Sequence, residues 1–320
     1  MNKLRTIIIL GLAFLSGACN PSEEQQKFLV VTSIAPLGAW ISAVGGPDVE
    51  VLILVPPSSS PHTFELSPGQ LRQASRANLV VLNGAGLEYW SERLLENLQN
   101  PKTPVLTLSE NVQLLQDGHA DGHISADASA QSASPHSDDA VNHTPVDADH
   151  GHGAAGNPHF WLDPTIASAS VTRIAEALVS LLPGKKDSML ARAATYKAAL
   201  TRLDTEIHEA VNTWRQKRFI GDHSAWVYFA RRYGLDEAGV IEAIPGREVS
   251  ARELSSIINL MKRDHVSVVF ADGRKSMRAA DILAEETGAR IARLNPMGIS
   301  GNSYLELLRS NVKEMARVMK

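Results

Sequence analysis

From Phe28 onward the apolar residues gather in short β-rich runs, FLVVTS, VEVLILVP, ANLVVLN and PVLTL, separated by stretches with helical spacing. The second half repeats the style. FIGDHS, GVIEAI, VSVVFAD and ARIARL read as strands, and SARELSSIINLMKRD and SMRAADILAEETG as the helices among them. Strand–helix alternation predicts an α/β fold with mostly parallel sheets in each half. Ligands of such sheets bind in loops at the carboxyl ends of the strands.

One segment joins the halves. From Asp187 to Trp214 the apolar positions Met189, Ala193, Tyr196, Leu200, Leu203, Ile207, Ala210 and Trp214 step by three or four, which makes one continuous helical face. At about 1.5 Å per residue such a helix reaches roughly 40 Å, enough to pass along a whole domain. The expected organisation is an N-terminal lobe over 28–184, a linking helix over 185–216 and a C-terminal lobe over 217–320. A single stiff connector permits less domain closure than flexible multi-stranded hinges do.

The front of the chain has a different character. Lys3 and Arg5 precede an apolar run from Ile7 to Ala18, which then meets Cys19. A basic start and a short apolar core read as a secretory signal over 1–18, since the run falls short of the roughly 20 residues that span a bilayer. LSGAC resembles a lipoprotein processing box, although Ser16 stands where a leucine is commonest. Cys19 is the only cysteine of the 320 residues, so a disulfide within the chain is excluded and lipidation at Cys19 is the simplest use for it. Residues 19–27 then form a polar tether. A hydrophobic content of 44% supports real cores, and a net charge of −4 argues against nucleic acid as a partner.

Residues 117–152 break the alternation. They hold six of the eleven histidines (His119, His123, His136, His143, His150 and His152) amid Asp, Ala, Ser and Gly. With almost no bulky apolar residues the stretch cannot pack a core and is expected to be a mobile loop. Its composition is that of an accessory metal-binding tract.

Three other histidines sit in short, distinctive contexts: His62 in PHTFELSP, His159 in NPHFWLDP and His223 in DHSAWVYFARRYGL. Neutral imidazole is the commonest protein ligand for late divalent metals. These contexts, in this order from about Phe28 to the C-terminus, resemble the zinc/manganese class of solute-binding proteins, the metal-binding subunits of bacterial ABC importers. The resemblance implies two α/β lobes joined by one long helix, a metal site in the cleft between them, and His62, His159 and His223 as ligands. Pro61 and Pro158 restrict the backbone just before two of them. Trp161 is expected to be structural, and Asp163 to cap the following helix. His208 and His265 read as ordinary surface or boundary residues.

A fourth ligand is less plain. Where many members of the family carry an aspartate before a Pro–hydrophobic–Gly turn, this chain reads ARLNPMG, with Asn295 in that place. The expected site is three histidines with water, or with a weak Asn295 contact; Asp222, Asp272 and Glu242 stand as substitutes. Three imidazoles without a carboxylate favour Zn2+ over Mn2+, because manganese prefers oxygen-rich octahedral sites.

The resemblance further implies capture of a divalent metal outside the cytoplasm and its delivery to an ABC permease driven by an ATPase, with the chain acting as a monomer held to the membrane through Cys19. A manganese-binding importer subunit or a metal-binding adhesin-type lipoprotein is the alternative. Three histidines and a water also describe catalytic zinc. HExxH, GxSxG, GxxxxGK[ST] and CxxC are all missing from the sequence, so a binding protein rather than a zinc hydrolase is the expectation.

Overall fold

In a computed structural model of the chain, the residues described are 27–57, 59–116, 156–244, 246–272, 277–298 and 303–320. The signal segment, most of the tether, Cys19 and the whole 117–152 tract with its six histidines lie outside the described residues.

The first half runs β1 (Phe28–Thr32), α1 (Ala35–Gly45), β2 (Val49–Ile53), α2 (Pro68–Ala74), β3 (Leu79–Leu82), α3 (Ser91–Glu96), β4 (Val105–Thr107) and α4 (Pro164–Leu181). The long helix α5 (Lys186–Asn212) follows. The second half runs β5 (Arg218–Gly221), α6 (Val227–Tyr233), β6 (Asp236–Val240), α7 (Ala251–Arg263), β7 (Val268–Asp272), α8 (Met277–Thr287), β8 (Arg290–Leu294) and α9 (Tyr304–Met319).

The strands form two all-parallel sheets of the same design, ordered β2-β1-β3-β4 and β6-β5-β7-β8. Two lobes of parallel strands and helices is the class the alternating pattern predicts. Every residue of β3 is buried, as in a strand with helices on both faces of its sheet. In both sheets the second strand in the chain lies on one side of the first and the third on the other, which opens a crevice at the carboxyl ends of the strands.

β6 lies earlier than the run GVIEAI suggests. It begins at Asp236, pairs from Arg218↔Asp236, and shifts register between Phe219 and Ile220. Asp236 is exposed on this edge strand and meets Arg218 Nε at 2.6 Å, while buried Glu237 accepts from Ser224 Oγ at 2.6 Å. Ile241 and Glu242 then continue the backbone pairing onto Gly221 and Asp222 without remaining in regular strand.

Helix α5 buries Met189, Ala193, Leu200, Leu203 and Ile207 of the stripe seen in the sequence, together with Val211. It packs on α1 and α4 from the first lobe and on α6 and α9 from the second. One continuous apolar core therefore runs from Val30 and Val81 through Leu200 and Leu203 to Phe219, Phe270 and Met315. A separate, smaller core lies between the other face of the second sheet and helices α7 and α8, around Ile220, Val269, Met261 and Leu283. Among the described residues no helix is long and apolar enough to cross a membrane.

Candidate metal centre

His62, His159 and His223 come from three separate loops and meet at one point. His62 follows β2, in a one-turn 3-10 helix, Pro61–Thr63, whose first residue is proline. His159 caps a second such turn, Phe160–Leu162, and Asp163 then caps α4 by accepting from the Thr165 backbone N–H at 2.7 Å. His223 follows the carboxyl end of β5. A Cβ on Gly221, two residues earlier, would come within 2.7 Å of Glu237 Oε1 and 3.0 Å of the His223 carbonyl, so the glycine gives this turn room to close.

The atoms that meet are the Nε2 nitrogens. His62 Nε2 lies 3.0 Å from His159 Nε2, and His223 Nε2 lies 3.3 Å from it. The rings stand 5.0 to 5.7 Å apart, centre to centre, and tilt steeply against one another. Three nitrogens each about 2.0–2.1 Å from a tetrahedral zinc would be separated by roughly 3.3 Å, so the spacing is that of a ready ligand set. His159 is almost fully buried, while His62 and His223 are half-buried.

The spacing alone does not select the metal, since adjacent ligands of a slightly larger octahedral ion stand at about the same distance. Donor chemistry does. Among the described residues, no carboxylate belongs to the group. Asp222 is buried beside it, with Oδ2 3.5 Å from His223 Nδ1, on the face of the ring away from the meeting point. Glu242 spends Oε2 on the Gly246 backbone N–H at 3.1 Å. Asp272 closes β7.

Asn295 is engaged elsewhere. Its Oδ1 accepts from the backbone N–H groups of Met297 and Gly298, both at 3.0 Å, and its Nδ2 donates to the Gly298 carbonyl at 2.9 Å. Both lone pairs of the amide oxygen are thereby spoken for by the turn. Trp161 is fully buried and packs against the His159 ring, and the hydroxyl of Tyr304 donates to its carbonyl. His208 sits on α5 beside Asp204 and Tyr233, and His265 lies at the end of α7 with a positive φ of 52°.

Several residues around the centre escaped the sequence reading. Asn83 donates from Nδ2 to the Pro158 carbonyl at 3.0 Å. The turn from Asn83 is itself held by Glu88, whose carboxylate accepts the backbone N–H groups of Asn83 and Gly84 at 2.8 and 2.9 Å. Burial pushes that carboxyl above its usual range. Asn157 contacts both His159 and the loop of His223. An asparagine directly before a proline marks a turn, and that signal stood two residues ahead of His159.

With this geometry in hand, comparison with known proteins is specific. Residues 30–318 match the family model described as zinc-uptake complex component A, periplasmic (ZnuA). The chain is similar to the high-affinity zinc uptake system protein ZnuA of Haemophilus ducreyi, with 29% identity over 98% of both chains. It is also 27% identical over 98% of its length to the zinc-binding protein AdcA of Streptococcus pyogenes serotype M3, of which it spans 61%. Among solved structures, a ZnuA deletion mutant with zinc bound matches with a TM-score of 0.74 and 27% identity, covering 92% of this chain and 98% of that one. The chain belongs to the family of periplasmic component A proteins of zinc-uptake complexes.

Proposed function

We propose that the chain captures a divalent metal ion, zinc, outside the cytoplasm and delivers it to an ABC permease for import, with His62, His159 and His223 as the protein ligands. The observation that carries this reading is the convergence of three Nε2 atoms from three loops, 3.0 and 3.3 Å apart along the two closest edges. Imidazole nitrogens are zinc-philic donors, and three of them with one open position form a tetrahedral site. The fourth place falls to water, because the amide oxygen of Asn295 already accepts two backbone N–H groups. Manganese, which favours oxygen ligands, is the poorer fit to such a set.

Capture on this reading is an exchange of ligands. The ion gives up most of its water for neutral imidazole, and the half-buried side of the site, at His62 and His223, is the way in. The ion is cargo, so nothing at the centre has to turn over a substrate, and the chain works as a binding protein, in keeping with the zinc-binding and zinc-uptake names of its relatives. The reading also takes 1–18 as an export signal, Cys19 as a lipid anchor and 19–27 as the tether. It divides the rest into lobes over 28–184 and 217–320 with the linking segment 185–216. The partners are the permease and its ATPase. The six loop histidines of 117–152 serve as an accessory, weaker store.

Titration of the metal-free protein with zinc against a competing chelator tests the function. One tight equivalent is expected, and its absence rejects the reading.

A further inference from the structure

The segment from Asn157 to His159 is held more firmly than a surface loop needs. The Asn157 N–H donates to the Leu115 carbonyl at 2.7 Å, and the Tyr228 hydroxyl donates to the Asn157 carbonyl at 2.7 Å. The Asn157 side chain adds three more contacts. Its Oδ1 faces two nitrogens of His159, the backbone N–H at 2.9 Å and ring Nδ1 at 3.0 Å. Its Nδ2 donates to the carbonyl of Ser224, the neighbour of His223, at 2.6 Å.

These partners settle which way round the amide lies. A backbone N–H can only donate and a backbone carbonyl can only accept, so the oxygen must face His159 and the NH2 must face Ser224. His159 Nδ1 then meets an acceptor and carries the ring proton. Its Nε2, the atom within 3.0 and 3.3 Å of the other two imidazoles, is left as a bare lone pair. The same amide bonds a segment of the first lobe to the loop after β5 in the second.

The geometry points to Asn157 as the positioning residue of the centre: it fixes the Nδ1–H tautomer of His159 and, through Ser224, tethers the His223 loop, so that two metal-facing nitrogens are aligned before an ion arrives. The use of this alignment rests on the ligand assignment proposed above. The tautomer itself does not, because it is a property of the metal-free protein. Outer hydrogen-bond partners of metal-binding histidines set ring orientation and tautomer, and their loss typically costs about 10–100-fold in metal affinity.

The test is a long-range 1H–15N correlation spectrum of the metal-free protein labelled at histidine, with the His159 signals assigned by their loss in His159→Gln. The wild type should show His159 as the Nδ1–H form. Asn157→Leu should release it into a tautomer mixture and weaken zinc binding about 10–100-fold. Asn157→Asp loses the bond to the Ser224 carbonyl but keeps an acceptor toward both His159 nitrogens, so it should keep the Nδ1–H signature, a rescue that loss of packing alone would not give. An Nε2–H form in the wild type or in Asn157→Asp overturns the inference, as does a folded Asn157→Leu protein with wild-type zinc affinity. Should Asn157→Leu fail to fold, the wild-type and Asn157→Asp spectra decide. If the wild type shows the Nδ1–H form but has no tight zinc site, the ligand assignment falls while the tautomer assignment stands.

Discussion

The indole N–H of Trp161 donates to the carbonyl of Pro296 at 2.9 Å, which hangs the ring beside His159 from the turn that Asn295 closes after β8. Asn295 thus touches the centre through the backbone turn it builds. In Asn295→Asp a carboxylate oxygen would face the Gly298 carbonyl where an N–H now donates at 2.9 Å. The expected result is a metal-free protein less stable by about 1–2 kcal/mol in denaturant unfolding, the scale of an unmade buried hydrogen bond. Competition titrations should give an unchanged zinc-over-manganese ratio. A narrowed ratio would mean that the new carboxylate reaches the ion.

Replacing His62, His159 or His223 by alanine should each weaken zinc binding more than about 100-fold, beyond the cost of losing an outer partner. Two imidazoles hold too few strong donors to displace the ion's water. The fold should persist, with an unchanged far-ultraviolet circular dichroism spectrum, since none of the three anchors the apolar core. Wild-type affinity in chelator competition for any one variant removes that residue from the centre.

Zinc affinity should fall as pH is lowered. Protons compete with the ion for the same nitrogen lone pairs, so acidification favours the metal-free form. Because more than one imidazole must be deprotonated together, log affinity against pH should steepen on the acid side to a slope above about one. A slope that never passes one would reduce the centre to a single titrating ligand.

Deletion of residues 117–152 should remove weaker zinc equivalents and leave one tight site. The described ends of the interrupted stretch already meet, with the Asn157 N–H donating to the Leu115 carbonyl at 2.7 Å, so the remaining residues can join them. Counting zinc equivalents by calorimetry in the full chain and the deletion separates the two classes. Loss of the tight site would make a loop histidine an essential ligand.

Much of this was legible in the chain. The apolar runs at β1, β3 and β7 announce buried parallel strands, and the stripe from Met189 to Ile207 announces α5, because both periods are strong and long. His62, His159 and His223 stood out through their surrounding motifs. β6 was displaced because its first residues, Asp236 and Glu237, are polar, and only pairing with β5 makes them a strand. The roles of Asn83 and Asn157 were hidden for a different reason. Their partners, Pro158 for Asn83 and Ser224 for Asn157, lie 75 and 67 residues away, and an asparagine before a proline signals a turn without saying what the turn will hold.

The apolar interior shared by both sheets through α5 has a thermodynamic consequence. Leu200 and Leu203 belong to the same interior as Val81 on one side and Phe270 on the other, so exposing either sheet strips the other of its lining. The two halves should therefore melt as one calorimetric unit, and neither should survive when produced alone. The shared interior leaves little room for the lobes to swing apart. On the proposed ligand assignment, taking up and surrendering the ion would then fall to the short turns that carry His62 and His223, neither of which belongs to that interior.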